Sequence, residues 1–221
     1  ENRVYRVGCE DAAPLVAKFY RPGRWSDAAI EEEHDFSAEL VAADLSVVAP
    51  LRIEDHTLHH YDAHRFALFP MLAGRTPELD RRDTLGQLGQ TLARIHEVGA
   101  RRPFEHRLVL DLDPFGYDPV DVLLDQHWLP AELETPFARL TDALFDHLDP
   151  VWDDIDRFAH LRVHGDCHPG NLLWRDERAH FVDLDDTLTA PAVQDLWMLL
   201  SGPLADRRRQ LQWLLEGYES F

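Results

Sequence analysis

The sequence predicts an α+β protein: a small antiparallel sheet with one helix over residues 1–70, then a larger, mainly helical part over residues 71–221. Three observations predict it. The first part is written in short runs that alternate apolar and polar residues, the period of half-buried strands. The second part carries apolar stripes at helical spacing, clearest at Leu85, Leu88, Leu92 and Ile95. Within that second part, short apolar runs bracket one polar loop, His164 to Asn171, dense in imidazole, carboxylate and amide groups.

Residues 1–7 (ENRVYRV) read as a strand, residues 8–14 as a turn, and Leu15 to Tyr20 (LVAKFY) as a second strand. Lys18 stands among apolar neighbours there. A lysine on a buried strand needs an anionic partner; on an edge strand it would simply point to water. Arg21-Pro22-Gly23 breaks the strand, and Ser26 caps a helix running to about Asp44, with Asp27 in its first turn. Ala29, Glu33, Phe36 and Leu40 share one face of that helix, so Glu33 interrupts an apolar stripe and Lys18 is its candidate partner. Glu31 and Glu32 are expected to face water. Val47 to Ile53 reads as a further strand, and Thr57 to Tyr61 with Arg65 to Phe69 as a hairpin about Asp62-Ala63. The composition then shifts abruptly over Phe69 to Gly74 (FPMLAG), as at a hinge.

Asp80 or Asp83 is expected to open the next helix and Gly99 to close it. Residues 101–134 are punctuated by proline, with a short helical piece over Val120 to Trp128, and are rich in aspartate. That acidity suits a cationic acceptor or simply a solvated surface. Thr135-Pro136 is the expected start of a core helix carrying Phe137, Leu140, Leu144 and Leu148. Pro191 is expected to open a helix through Leu200, and Asp206 to Tyr218 forms the last, with Leu211, Leu214 and Leu215 inward.

Composition narrows the function. Hydrophobic residues make up 45% of the chain, enough for a core. No apolar run is long enough for a membrane span, and no secretory leader is visible. The two cysteines, Cys9 and Cys167, form no CxxC pair, which suits a cytoplasmic setting. A net charge of −19 argues against nonspecific nucleic-acid binding and permits cationic acceptors. The chain opens on Glu1 inside what reads as a strand, so residues are expected to precede it, and others to follow Phe221.

The chemistry sits in HLRVHGDCHPGNLLWRDERAHFVDLDDT, His160 to Thr187. Packed strands on either side hold the polar loop at both ends. Phosphoryl transfer needs a carboxylate to orient and deprotonate a hydroxyl, plus oxygen ligands for a nucleotide-bound Mg²⁺. Asp166 fits the first role; Asn171, five residues on, and Asp183 fit the second. Asp166 and Asp183 are therefore the catalytic candidates, with Asn171 and Asp183 the metal candidates. Two rival patterns overlap. Asp183-Leu184-Asp185-Asp186-Thr187 fits the DxDxT pattern of haloacid-dehalogenase-type phosphatases, but too little chain follows for the rest of that sheet. His164-Gly165-Asp166-Cys167-His168 has metal-ligand spacing, yet thirteen histidines spread through the chain make local pairs expected. The favoured alternative is that His164 braces the loop and His168 lies at its surface. Cys167 is expected to be a small semi-buried residue.

HGDCHPGN followed by VDLDD resembles the aminoglycoside phosphotransferase and choline-kinase superfamily, whose loop reads HGDxHxxN. HGDCHPGNLLWRD, FVDLDD and PAVQDLWMLL resemble in particular its bacterial stress-response Ser/Thr protein kinases, and this likeness runs through essentially the whole chain. It implies a protein-kinase-like two-lobe fold, with ATP as co-substrate and Mg²⁺ as cofactor. The acceptor would be Ser or Thr of a protein partner, and the enzyme a monomer in the cytoplasm. It further implies that Lys18, held by Glu33, grips the ATP phosphates. Phe69 and Met71 would wall the adenine, Asn2 would lie near the phosphates, and His96 and Asp195 would support the catalytic loop. An aminoglycoside, choline or homoserine kinase and a non-catalytic ATP-binding scaffold are the alternatives.

Overall fold

A computed structural model of the protein describes residues 2–10, 12–155 and 157–220. The fold is mixed α+β, a small antiparallel sheet beside a mainly helical part. Glu1, expected in the first strand, lies outside the described residues, as does Phe221. Strands β1 (Arg3–Val7), β2 (Leu15–Phe19), β3 (His59–Tyr61) and β4 (His64–Pro70) form a four-stranded sheet in the order β1-β2-β4-β3. Helix α1 (Asp27–Ala42) packs against it. Ser26 caps that helix, its hydroxyl accepting the Ala29 N–H at 3.1 Å.

The expected strand over Val47 to Ile53 does not form. Val48 N–H donates to Phe181 O (2.9 Å) and Leu51 N–H to Leu68 O (2.7 Å), so this segment divides its hydrogen bonds between two partners. Pro50, which has no N–H, falls between them. The segment is a strap joining the sheet to the larger part of the molecule, and the sheet has four strands rather than about five.

The larger part is centred on α2 (Arg82–Gly99) and α6 (Leu204–Tyr218). Their backbones meet: a Cβ on Gly89 would stand 2.0 Å from Leu214 O, and one on Gly217 1.9 Å from Gly86 O. Leu85, Leu88, Leu92 and Leu214 join Phe36 and Leu40 of α1 and Phe181 in one core. No aspartate side chain caps α2; Arg81 stands at that position without a capping bond. A π-turn (Asp113–Tyr117) leads into α3 (Asp118–Asp125), followed by the long α4 (Ala131–Ile155). Helix α4 begins before Thr135 and contains Pro136. Pro136 is the sixth residue of the helix, past its first turn, so it removes the N–H that would otherwise bond to Glu132 O. The face of α4 also differs from expectation: Thr141 and Phe145 are buried, whereas Leu140 is 68% exposed.

Three short strands frame the polar loop. β5 (His160–Val163) precedes it; β6 (Leu172–Arg175) and β7 (Arg178–Phe181) form the hairpin after it. Pro191 does not open a helix. It ends a strand, β8 (Leu188–Pro191), which pairs antiparallel with β5, and the short helix α5 (Val193–Trp197) follows. No helix among the described residues is long and apolar enough to cross a membrane.

Candidate active site

The loop between β5 and β6 is fixed from below by Asp195 of α5. One of its carboxylate oxygens accepts His164 N–H (2.8 Å) and the His96 ring (3.0 Å); the other accepts Gly165 N–H (2.9 Å). Burial pushes Asp195 up, but its hydrogen bond with His96 and the neighbouring imidazoles outweigh this and leave its pKa lowered. Gly165 has φ of +84°, and a Cβ there would stand 2.1 Å from Asp186 O, so the turn needs glycine. His164 pairs through Nε2 with Val182 O at 3.0 Å and is buried, bracing the loop against the strand leading to Asp183. His168 lies at the surface, its Nδ1 accepting Gly170 N–H. Cys167 is fully buried, which pushes its thiol pKa up.

Asp166 and Asn171 are brought together. The amide Nδ2 of Asn171 donates to Asp166 O (2.9 Å) and to Asp166 Oδ2 (3.1 Å), leaving Oδ1 as the acceptor of that amide. Val182 N–H donates to Asn171 O (3.0 Å), so Asp183 follows directly on a residue tied to Asn171. Asp183 itself has a left-handed backbone, φ 60° and ψ 64°. Aspartate tolerates that region better than most side chains.

Lys18 is on β2, an inner strand of the sheet, and is 6% exposed. Its expected partner was Glu33, but its Nζ lies 2.6 Å from Asp183 Oδ1 and 3.2 Å from Asp185 Oδ1. Two carboxylates on one turn outcompete the single one on α1. Glu33 accepts the Ser37 hydroxyl (3.3 Å) and lines the same cavity as Lys18. Burial pulls the Lys18 ammonium pKa down, yet Asp185, Asp183 and Glu33 outweigh it and leave it raised. Burial raises Glu33 to about 7 despite the charge of Lys18. Burial raises Asp183 as well, and Lys18 more than reverses this, leaving it lowered.

A cavity of about 240 Å³ opens beside Lys18. Val4 and Val16 of the sheet line one side, Leu173, Val182 and Leu184 the other, with Phe69, Pro70 and Leu72 at the edge. Its lining is mostly apolar, with Lys18, Glu33 and Asp183 at one end. Phe69 lines this cavity. Met71 does not: it lies beyond the end of β4, 41% exposed, with its N–H on Pro14 O. Asn2 is not among the lining residues either; its Oδ1 accepts Arg21 N–H at 2.9 Å and ties the strand ends together.

Asp166 lines a second cavity, about 520 Å³, with Arg24, Trp25, Phe115, Gly165, Asp186 and Gln194. The Leu184–Asp186 turn lines both cavities, the first through Leu184 and the second through Asp186. Among the described residues no cage of three or more His, Cys, Asp or Glu side chains is gathered. The carboxylates of Asp183 and Asp185, already converging on one cation, and the amide oxygen of Asn171 are nonetheless a hard oxygen set. Mg²⁺ accepts one or two carboxylates and completes its octahedron with phosphates and water, so the residues fit it.

Sequence reasoning missed Arg24, Arg107 and Glu32. Glu32 does not face water; its carboxylate accepts the N–H groups of Glu105 (2.6 Å) and His106 (2.9 Å). Arg107, buried, donates to Thr187 O (2.8 Å) and to Asp185 O, and stacks over Trp25 at 3.9 Å. A charged side chain far from its partner in sequence carries no local signal of that pairing.

The sequence model of one family, described as the phosphotransferase enzyme family, matches residues 1–221. The chain belongs to the phosphotransferase enzyme family. Within it, the chain is similar to stress response kinase A of Salmonella choleraesuis (strain SC-B67): 43% identity over 219 residues, 99% of this chain and 66% of the relative. A Salmonella typhimurium relative at the same identity and coverage is called serine/threonine protein kinase RdoA. Stress response kinase A of Escherichia coli (strain K12) is 42% identical over 221 residues, 100% of this chain and 66% of the relative. The chain thus spans just under two thirds of the length of these relatives. Among solved structures, amicoumacin kinase hAmiN in complex with AMP-PNP and Ca²⁺ shares the fold with a TM-score of 0.79 at 18% identity, over 100% of this chain and 70% of that one. A microcompartment-associated aminopropanol kinase does so with a TM-score of 0.68 at 19% identity, over 99% and 75%.

Proposed function

We propose that this phosphotransferase moves the γ-phosphoryl group of ATP to a hydroxyl, most specifically a Ser or Thr of a protein, in a bacterial stress response. The observation that carries the reading is the junction of two cavities. Lys18 and Asp183 stand on one side and Asp166 on the other, joined through Asn171. In this reading the apolar cavity takes the adenine against Phe69, and Lys18 grips the phosphates, with Glu33 beside it as a negative charge. Asn171 and Asp183 would hold Mg²⁺, which when bound would shield phosphate charge. Asp166 orients the acceptor hydroxyl and takes its proton. The enzyme acts as a monomer in the cytoplasm, where its two free cysteines stay reduced.

The protein acceptor is supported by the relatives' names at 42–43% identity. A small-molecule acceptor is the second reading. It is favoured by the bounded cavity around Asp166, which pairs the apolar walls of Leu108, Leu110 and Phe115 with acidic Asp186. The test offers labelled ATP and Mg²⁺ with a basic protein, the enzyme itself, and a panel of amino alcohols and aminoglycosides. Label in protein Ser or Thr supports the first reading. Label only in a small molecule moves the function to the second. ATP binding without any transfer leaves a scaffold.

A further inference from the structure

Asp185, 4% exposed, is gripped by two cations, one on each oxygen. Lys18 Nζ is 3.2 Å from Oδ1 and Arg24 Nη1 is 2.9 Å from Oδ2. The other terminal nitrogen of Arg24 pairs with Asp186 Oδ1. Lys18 is the cation lining the nucleotide cavity, and Arg24 the cation lining the cavity that holds Asp166. Both reach the same carboxylate, so Arg24 stands at the place where a phosphoryl group would pass between cavities. It sits on the turn between β2 and α1, next to Gly23 with φ of +75°, and its side chain is only partly covered. Phosphates entering the gap offer both cations a second set of oxygen partners.

We propose that Arg24 contacts the transferring phosphoryl group and stabilises the charge that develops on it; this rests on the phosphotransfer reading above. In the step, the acceptor oxygen bonds to the γ-phosphorus as its bond to the β,γ-bridging oxygen breaks. The hydroxyl proton passes to Asp166 and ADP leaves. Charge on the bridging and equatorial oxygens changes most at the transition state. A planar guanidinium, always charged and donating from several N–H groups, is suited to it. Such a contact strengthens as charge develops, so it acts on kcat more than on nucleotide affinity.

The test compares the wild-type chain, Arg24→Ala, Arg24→Lys and Asp166→Ala. Three quantities are read: transfer to the acceptor panel, ATP hydrolysis to water, and binding of a fluorescent ADP. Arg24→Ala is expected to lower kcat on the order of 10²–10³-fold. ADP affinity should stay within about threefold of wild type, because the loss falls on the transition state. Arg24→Lys should recover part of the rate, and millimolar guanidinium should partly rescue Arg24→Ala. Unchanged kcat in Arg24→Ala, or a loss matched by a fall in melting temperature with no rescue, overturns the proposal: Arg24 would then be a strap between strands and turn. If the wild-type chain binds nucleotide but neither transfers nor hydrolyses, the phosphotransfer reading itself fails, and this proposal with it. An active wild type beside an indifferent Arg24→Ala sinks the Arg24 proposal alone.

Discussion

Lys18 Nζ lies 2.6 Å from Asp183 Oδ1, joining an inner strand of the small sheet to the turn after β7 across 165 residues of chain. The pair, with Glu33, forms the polar end of a cavity whose lining is otherwise apolar, the end at which the proposed nucleotide would place its phosphates. Lys18→Ala should therefore lower kcat/KM for ATP by roughly 10²-fold or more, the scale of losing one preorganised charge contact. Steady-state kinetics with varied ATP reads this; a change within twofold of wild type would remove Lys18 from phosphate binding.

Glu33 makes stability depend on pH. Its folded pKa, about 7, is above the ordinary value of 4.5 because of burial. Below pH 4.5 both folded and unfolded states hold the proton. Between 4.5 and 7 the unfolded chain has released it and the folded one has not, so stability falls as pH rises through this window and levels off above it. The slope approaches about 1.4 kcal/mol per pH unit. Glu33→Gln should flatten this portion of the curve. Urea unfolding of both proteins from pH 4.5 to 8 checks it, and parallel curves would contradict it.

Much of this was legible in the chain, and the boundary is physical. The D-x₄-N spacing and the following aspartate are local, so Asp166, Asn171 and Asp183 could be placed on one loop and one turn from the residues alone. Ser26 as a cap and the buried face of α1 follow from helical period. What failed was non-local. Lys18 had Glu33 on α1 and the acidic turn after β7 to choose between, and only the tertiary fold brings Asp183 and Asp185 to it. Strand β8 reads as a helix start because Pro191 follows Ala190, yet it pairs with β5 across the whole loop. Glu32 sits in an acidic triplet that looks solvated until residues 105–106 fold over it.

Asp195 holds the His164–Asn171 loop by two hydrogen bonds, from His164 N–H and Gly165 N–H, and is itself held by a third from His96 of α2. Asp195→Asn sets an NH₂ group against one of those donors. The loss should be about 1–3 kcal/mol of stability, with kcat reduced. The carboxylate is held below its ordinary pKa, so its stabilisation is complete above about pH 4 and fades only in stronger acid. Chemical denaturation at pH 7 measures it, and an unchanged midpoint would contradict the bracing role.

Gly165→Ala should be more damaging than a surface glycine change. The backbone is at φ +84° and the new Cβ would meet Asp186 O at 2.1 Å. Gly8→Ala, with nothing within 4 Å, is the control. Transfer activity should fall sharply in the first and stay near wild type in the second; equal activity would mean the turn relaxes freely.

Asp166→Ala, assayed in parallel for nucleotide binding and for transfer, separates the roles of the two cavities. Asp166 lines the cavity beside the turn and not the one beside Lys18. ATP should thus bind as in wild type, while transfer falls on the order of 10²–10⁴-fold, the usual contribution of a positioned general base. Transfer that survives in this variant, or nucleotide binding that disappears with it, would contradict a site in which one cavity holds the nucleotide and the other aims the hydroxyl.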